Sequence, residues 1–195
     1  MYFFYILLCF LITTPALRAQ IVDSDMTLSQ ALSGQGIPDN IQRELNLLDV
    51  KYYSFDGKIH KGQLVVHRSV SEDVREVFEI MLEEKFPIAR VIPVQRYDWS
   101  DELSMKDNNT SAFNYRRVKG TRIMSKHSYG RAIDINPQQN PFFKRGKYSP
   151  AGAVYRKDQP GTLTAGSRIV KEFKKRGWRW GGEWRSSKDY QHFEK

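Results

Sequence analysis

Beyond Cys9 the chain contains no cysteine, and this does most to limit what it can become. No disulfide can staple the fold, so stability must come from a packed core and backbone hydrogen bonds. Any metal must be held by His, Asp or Glu, because thiolate sites are excluded. Cys9 sits in a run, Tyr2 to Thr14, that is almost entirely apolar or aromatic. Pro15-Ala16-Leu17-Arg18-Ala19 follows and ends in a small residue, as a secretory signal with its cleavage site does. A signal peptide is therefore expected over residues 1–19. The run is shorter than the roughly 20 apolar residues that span a bilayer. No Lys or Arg precedes it, so retention as an anchor stays an open alternative. Cleavage would leave about 175 residues, the size of one ordinary domain.

Lys and Arg number 31 against 22 Asp and Glu, a net charge of +9. Loss of the leader removes only Arg18. A balance of this kind favours anionic partners. For an exported chain, carboxylate-rich cell-wall polymers fit better than nucleic acid, for which no motif is present.

Residues 20–36 are polar without a clear period and read as a linker or loosely docked arm. Ile41, Leu45 and Leu48 have helical spacing after Pro38-Asp39, so a short helix is expected there. Gln63 to His67 reads as a strand. Ser71 reads as an N-cap, with Val74, Val77, Phe78, Met81 and Leu82 on one face of the helix that follows. Pro87 closes it, and Ile88 to Val94 reads as a strand. Residues 98–111 read as a long polar loop. Ala132 to Asn136 alternates, placing Ile133 and Ile135 toward a core and Asp134 and Asn136 on the other side. Residues 137–163 read largely as loop. Ile169, Val170 and Phe173 mark a last helix closed by Gly177, with closing strands from Trp178 onward. Helices and strands mixed without regular alternation predict a single α+β domain. Trp178, Trp180 and Trp184 alternate along one face, with core packing as the default.

The histidines carry the chemistry. His127 lies seven residues before Asp134, with Gly130 between them to permit a sharp reversal. His192 lies near the C-terminus. Two histidines and a carboxylate make a common catalytic zinc shell that leaves a position open. Spacing alone is weak support for such a shell. His60 and His67 lie outside every motif and are not expected to be ligands. Asn108 and Asn109 each begin a glycosylation-like triplet, relevant only in a eukaryotic secretory route.

The string SKHSYGRAIDINP resembles the Ser-x-His-x-x-Gly-x-Ala-x-Asp motif of the D-alanyl-D-alanine carboxypeptidase-like metallopeptidases. GWRWGGEWRSSKDYQHFEK and NNTSAFNYR resemble the L-alanyl-D-glutamate endopeptidase-like branch of that family. The resemblance covers roughly residues 60–195. It implies a hedgehog/D,D-peptidase-like fold, a small antiparallel sheet with flanking helices. With residues 1–19 read as signal and 20–59 as an N-terminal arm with a short helix, it makes 60–195 the peptidase domain. It implies Zn2+ on His127, Asp134 and His192. Asp189, three residues before His192, takes the place of the catalytic carboxylate, and Glu183 is its rival as general base. Arg116 is implied as the arginine that engages substrate, with Arg117 as its neighbour. Ser125 is implied near the metal and substrate, or else only shapes the turn. The expected activity is hydrolysis of peptidoglycan stem peptides, by carboxypeptidase or endopeptidase cleavage. The alternative is a zinc-containing cell-wall-binding module without catalysis. The oligomeric state is not legible.

Overall fold

The computed structural model describes residues 20–195. The expected signal peptide, with Cys9, lies outside them. Among the described residues, no helix is long and apolar enough to cross a membrane.

The first sheet is built on a long hairpin. Strand β2, Leu45–Tyr53, pairs antiparallel with β3, Ile59–His67, over nine residues, and β1, Ile21–Val22, adds to β3 in parallel. The expected helix over Ile41 to Leu48 is therefore cut short. Only Asp39–Gln42 is helical (α2), and Leu45 already belongs to β2. The three-residue offset between Leu45 and Leu48 mimics a helix but serves two opposite sheet faces. Leu48, Val50 and Tyr52 join the main core, whereas Leu45 joins a second cluster with Val65 and Phe113.

That second cluster also corrects the reading of residues 20–36 as a loose arm. A short helix α1, Leu28–Ala31, has a complete capping box between Thr27 and Gln30. Ala31, Leu32 and Ile37 are buried in the cluster. Ser24 Oγ and the Met26 N–H both donate to the buried Gln63 side chain at 2.7 Å. Polarity there marks a specific clasp on the sheet, not freedom.

Helix α3, Ser71–Glu83, lies over the other sheet face with Val74, Val77, Phe78 and Met81 buried. Ser71 is its first residue, not its N-cap. A short 3-10 turn, Arg68–Val70, runs into the helix, and the His67 side chain caps that turn by accepting from the Ser69 N–H at 3.1 Å. The expected strand over Ile88 to Val94 shrinks to β4, Arg90–Val91, which pairs in parallel with β5, Asn109–Thr110. Between them, in the expected polar loop, lies α4, Asp101–Lys106, capped by Ser100.

The remaining strands form two antiparallel sheets. One has the order β6 (Ala132–Asp134), β11 (His192–Glu194), β9 (Arg179–Trp180). The other has the order β10 (Lys188–Asp189), β7 (Phe142–Lys144), β8 (Lys147–Ser149), so residues 137–163 contain a hairpin as well as loop. The molecule is α+β, as expected, but with several small sheets instead of one. Helix α5, Arg168–Lys175, ends as the sequence predicts. The Gly177 N–H reaches the Lys174 carbonyl and the Trp178 N–H reaches the Phe173 carbonyl, a Schellman closure. Trp178 packs edge-on to Phe173, which in turn stacks on Phe193 of β11 with ring centroids 4.2 Å apart. This packing anchors the strand that carries His192.

Candidate metal centre

His127 stands on a 3-10 turn, Lys126–Tyr129, capped at its start by Ser125 Oγ, which accepts from the His127 N–H at 3.3 Å. In this structure Ser125 shapes the turn. Gly130 ends it at φ +65°, a conformation L side chains rarely adopt. A Cβ at Gly130 would come within 2.5 Å of the His67 nitrogen, whose N–H donates to the Gly130 carbonyl at 2.9 Å. The turn is thus pressed onto the end of β3 at a point where only glycine fits.

Asp134 ends β6, and His192 begins β11 directly opposite it in the antiparallel register. Residues directly opposite share a sheet face, so this pairing brings the two side chains together. Phe193 and Ile133, the next pair, point into the core. Asp134 Oδ1 lies 2.9 Å from His192 Nδ1, and Asp134 Oδ2 lies 3.3 Å from His127 Nε2. The two imidazole nitrogens are 3.2 Å apart. All three residues are buried. Ligands about 2.1 Å from a tetrahedral zinc would lie about 3.4 Å from one another, so the donor set is close to size.

The surroundings fix which nitrogen faces inward. His127 Nδ1–H donates to the Ala112 carbonyl, leaving Nε2 as a lone pair. His192 Nε2 lies 3.4 Å from Glu194 Oε2, which leaves Nδ1 for the centre. Such partners orient metal-binding histidines and raise their basicity. Two inward lone pairs and a carboxylate need positive charge between them. Burial pushes the His192 imidazole down, but the Asp134 and Glu194 carboxylates outweigh it and lift it to about 10. Burial would raise the Asp134 carboxyl, yet the two histidines hold it well below the usual carboxylate range.

Asp189 approaches from the neighbouring strand β10. Burial pushes its carboxyl up to about 6, against the pull of His192 and with a further push from Asp134. Its Oδ1 is buried without a hydrogen-bond partner. The rival, Glu183, is exposed and ion-paired with Lys174 at 2.6 Å. The place of Asp189 depends on Gly181, where an added Cβ would lie 2.6 Å from the Asp189 carbonyl oxygen and 2.8 Å from its Cβ. Gly181→Ala should therefore displace Asp189 while sparing the metal ligands. Were Asp189 the general base, the variant should lose at least about tenfold in turnover at unchanged metal content, read by kinetics beside metal analysis, since misplacement by about 1 Å can cost about a hundredfold.

Arg116 is not in contact with the three ligands. Its guanidinium pairs with Asp101 of α4 at 2.9 Å, and its Nε is buried without a partner. Its main chain, however, braces the histidine turn. The Arg116 carbonyl accepts from the Ser125 N–H at 3.0 Å and from Ser128 Oγ at 2.6 Å. Arg117 is exposed, so the two neighbouring side chains diverge as an extended segment requires. His60 and His67 lie elsewhere. His60 sits between Asp23 and Asp56, and His67 caps the start of its turn. Asn109 is fully buried and bonded to Ile92 and Ser104, which removes it as a surface glycosylation site. Trp184 stands apart from the two buried tryptophans. Half-buried, it lies with its ring centroid 5.4 Å from that of His192. The sequence reading missed Glu194 and the Ala112 carbonyl. Only the two-residue offset of Glu194 from His192 on a strand hinted at the former.

Residues 119–195 match the family model described as D-alanyl-D-alanine carboxypeptidase. The matched segment holds His127, Asp134, Asp189 and His192, and stops short of Arg116. No curated protein and no solved structure matches the chain.

Proposed function

We propose, from the match of residues 119–195 to the D-alanyl-D-alanine carboxypeptidase family model, that the protein is an exported zinc peptidase acting on peptidoglycan stem peptides. The carrying observation is the buried His127–Asp134–His192 donor set with Asp189 beside it, whose Oδ1 is buried without a hydrogen-bond partner. On the same resemblance we read the fold as of the hedgehog/D,D-peptidase kind.

His127 Nε2, His192 Nδ1 and one Asp134 oxygen would hold the ion. Bound zinc would supply Lewis acidity toward the scissile carbonyl. Asp189 takes a proton from the attacking water and later returns it to the leaving amine. A carboxyl raised by burial is a stronger base than a solvated one, and Oδ1 is free to accept. Arg116 holds a substrate carboxylate by exchanging its Asp101 partner for it, in a two-pronged grip that an ammonium does not offer. Trp184, packed beside the His192 ring, would flank the bound substrate. The leader over residues 1–19 would deliver the protein to the periplasm or the cell exterior, where this substrate is found.

The test is digestion. Purified zinc-loaded protein is incubated with peptidoglycan, and the released fragments are identified by mass spectrometry. Release of D-alanine identifies a carboxypeptidase. New N-terminal D-glutamate ends identify the endopeptidase, to which the motifs around Arg116 and His192 point. Absence of any cleavage at full zinc occupancy would leave the non-catalytic binding module.

A further inference from the structure

The turn that carries His127 is preceded by a small hairpin that no part of the peptidase chemistry uses. Arg117 and Met124 form an antiparallel bridge. One step along, the Val118 N–H donates to the Ile123 carbonyl at 2.8 Å, and the Thr121 N–H closes the turn on the Val118 carbonyl at 3.0 Å. Gly120 takes φ +77° at the third position of that turn, and nothing lies within 4 Å of where its Cβ would stand. The tip therefore projects into open space.

Its side chains make an unusual combination. Val118 and Ile123, neighbours across the hairpin, are 42% and 70% exposed, and Ile123 is the most exposed large hydrophobic side chain among the described residues. Arg117, Lys119, Arg122 and Lys126 surround them, all exposed and none in an ion pair among the described residues. No acidic side chain is near in sequence to neutralise them. From Asn108 through Lys157 there are eleven Lys or Arg and a single carboxylate, the buried Asp134. A soluble polyanion would answer these cations but leave Val118 and Ile123 in water. A bilayer with acidic headgroups answers both, because its interface takes apolar side chains while its phosphates attract the basic ones.

We propose that the hairpin 117–124 is a membrane-surface contact that docks the protein on bilayers rich in anionic phospholipid. Ile123 and Val118 enter the interface, and Arg117, Lys119, Arg122 and Lys126 lie among the headgroup phosphates. The hairpin closes where the Ser125 N–H meets the Arg116 carbonyl, two residues before His127. Docking thus brings the metal centre close to the lipid surface. The contact is peripheral and needs neither the metal nor catalysis.

Co-sedimentation of the full chain with vesicles tests this, using phosphatidylcholine alone and phosphatidylcholine mixed with phosphatidylglycerol. The apolar run Tyr2 to Thr14 adds a background common to every variant, so ratios between variants are read. Stronger partition onto the anionic vesicles is expected. Lys119→Gln with Arg122→Gln should weaken it by about fivefold per charge removed. Ile123→Ser should weaken it severalfold at unchanged charge, and His127→Ala should leave it intact. All of these hairpin positions are exposed, and an unchanged thermal transition verifies the fold. Equal binding to both vesicle types overturns the proposal. So does an unaltered partition of Ile123→Ser, which would reduce the hairpin to a plain polyanion site.

Discussion

Replacing His127 or His192 by alanine is expected to abolish stoichiometric zinc binding, and turnover with it. Each change removes one of two imidazoles and leaves Asp134 and a single histidine, too few ligands for a tetrahedral protein site. The effect should far exceed the 10- to 100-fold loss of affinity typical when only an orienting partner of a ligand is removed. His192→Ala also strips the buried Asp134 of its 2.9 Å partner, so some loss of stability should accompany the loss of metal. Metal analysis after dialysis against a weak chelator reads the first effect and thermal unfolding the second. Full zinc occupancy in both variants would remove the proposed centre. In the unaltered protein a strong chelator should stop turnover, and added zinc should restore it.

Why these three residues were legible, and their partners were not, has a physical reason. His127 and Asp134 belong to a motif whose spacing is set by the turn at Gly130 and the strand that follows, so the motif carries geometry within it. The second histidine arrives only through the β6–β11 register, which no local pattern encodes. The Ala112 carbonyl that fixes the His127 tautomer is a main-chain group and leaves no trace in residue type. The motif implies Arg116 as a substrate contact, yet its partner in the structure, Asp101, lies on a helix the sequence conceals. That helix, α4, buries only Ser104 and so has no apolar stripe to betray it.

The fold divides along the same line. Helix α3 was legible because Val74, Val77, Phe78 and Met81 face one core at helical spacing. Leu45 and Leu48 misled because one strand feeds two cores: Leu45 turns to the second cluster at the start of β2, while Leu48, Val50 and Tyr52 alternate toward the main core. Residues 20–36 misled through their polarity. Their docking is carried by Gln63, a buried amide that satisfies Ser24 and Met26 from the adjacent sheet. A specific polar clasp and a flexible linker have much the same composition.

Asp189→Asn is expected to keep zinc and lose about a hundred- to ten-thousand-fold in turnover, the range general-base assistance supplies. The amide is nearly the same size, so packing against Gly181 survives, but it cannot take a proton from water at neutral pH. The environment of the carboxyl adds a second signature. Burial lifts it to about 6, with Asp134 adding to the rise and His192 opposing it. Only the ionised form acts as a base, so kcat/KM should rise with pH through the pKa of Asp189 and level off above it. A bound dication favours the ionised form and moves that limb to lower pH, so it should fall at or below about pH 6. In Asp189→Asn the limb should vanish along with the rate. Should the variant keep near-normal turnover and the same acid limb, Asp189 is not the base. Glu183 could take its place only by leaving Lys174 and moving in from the exposed rim. A loss of zinc together with activity would instead place Asp189 among the ligands. Parallel metal analysis separates these outcomes.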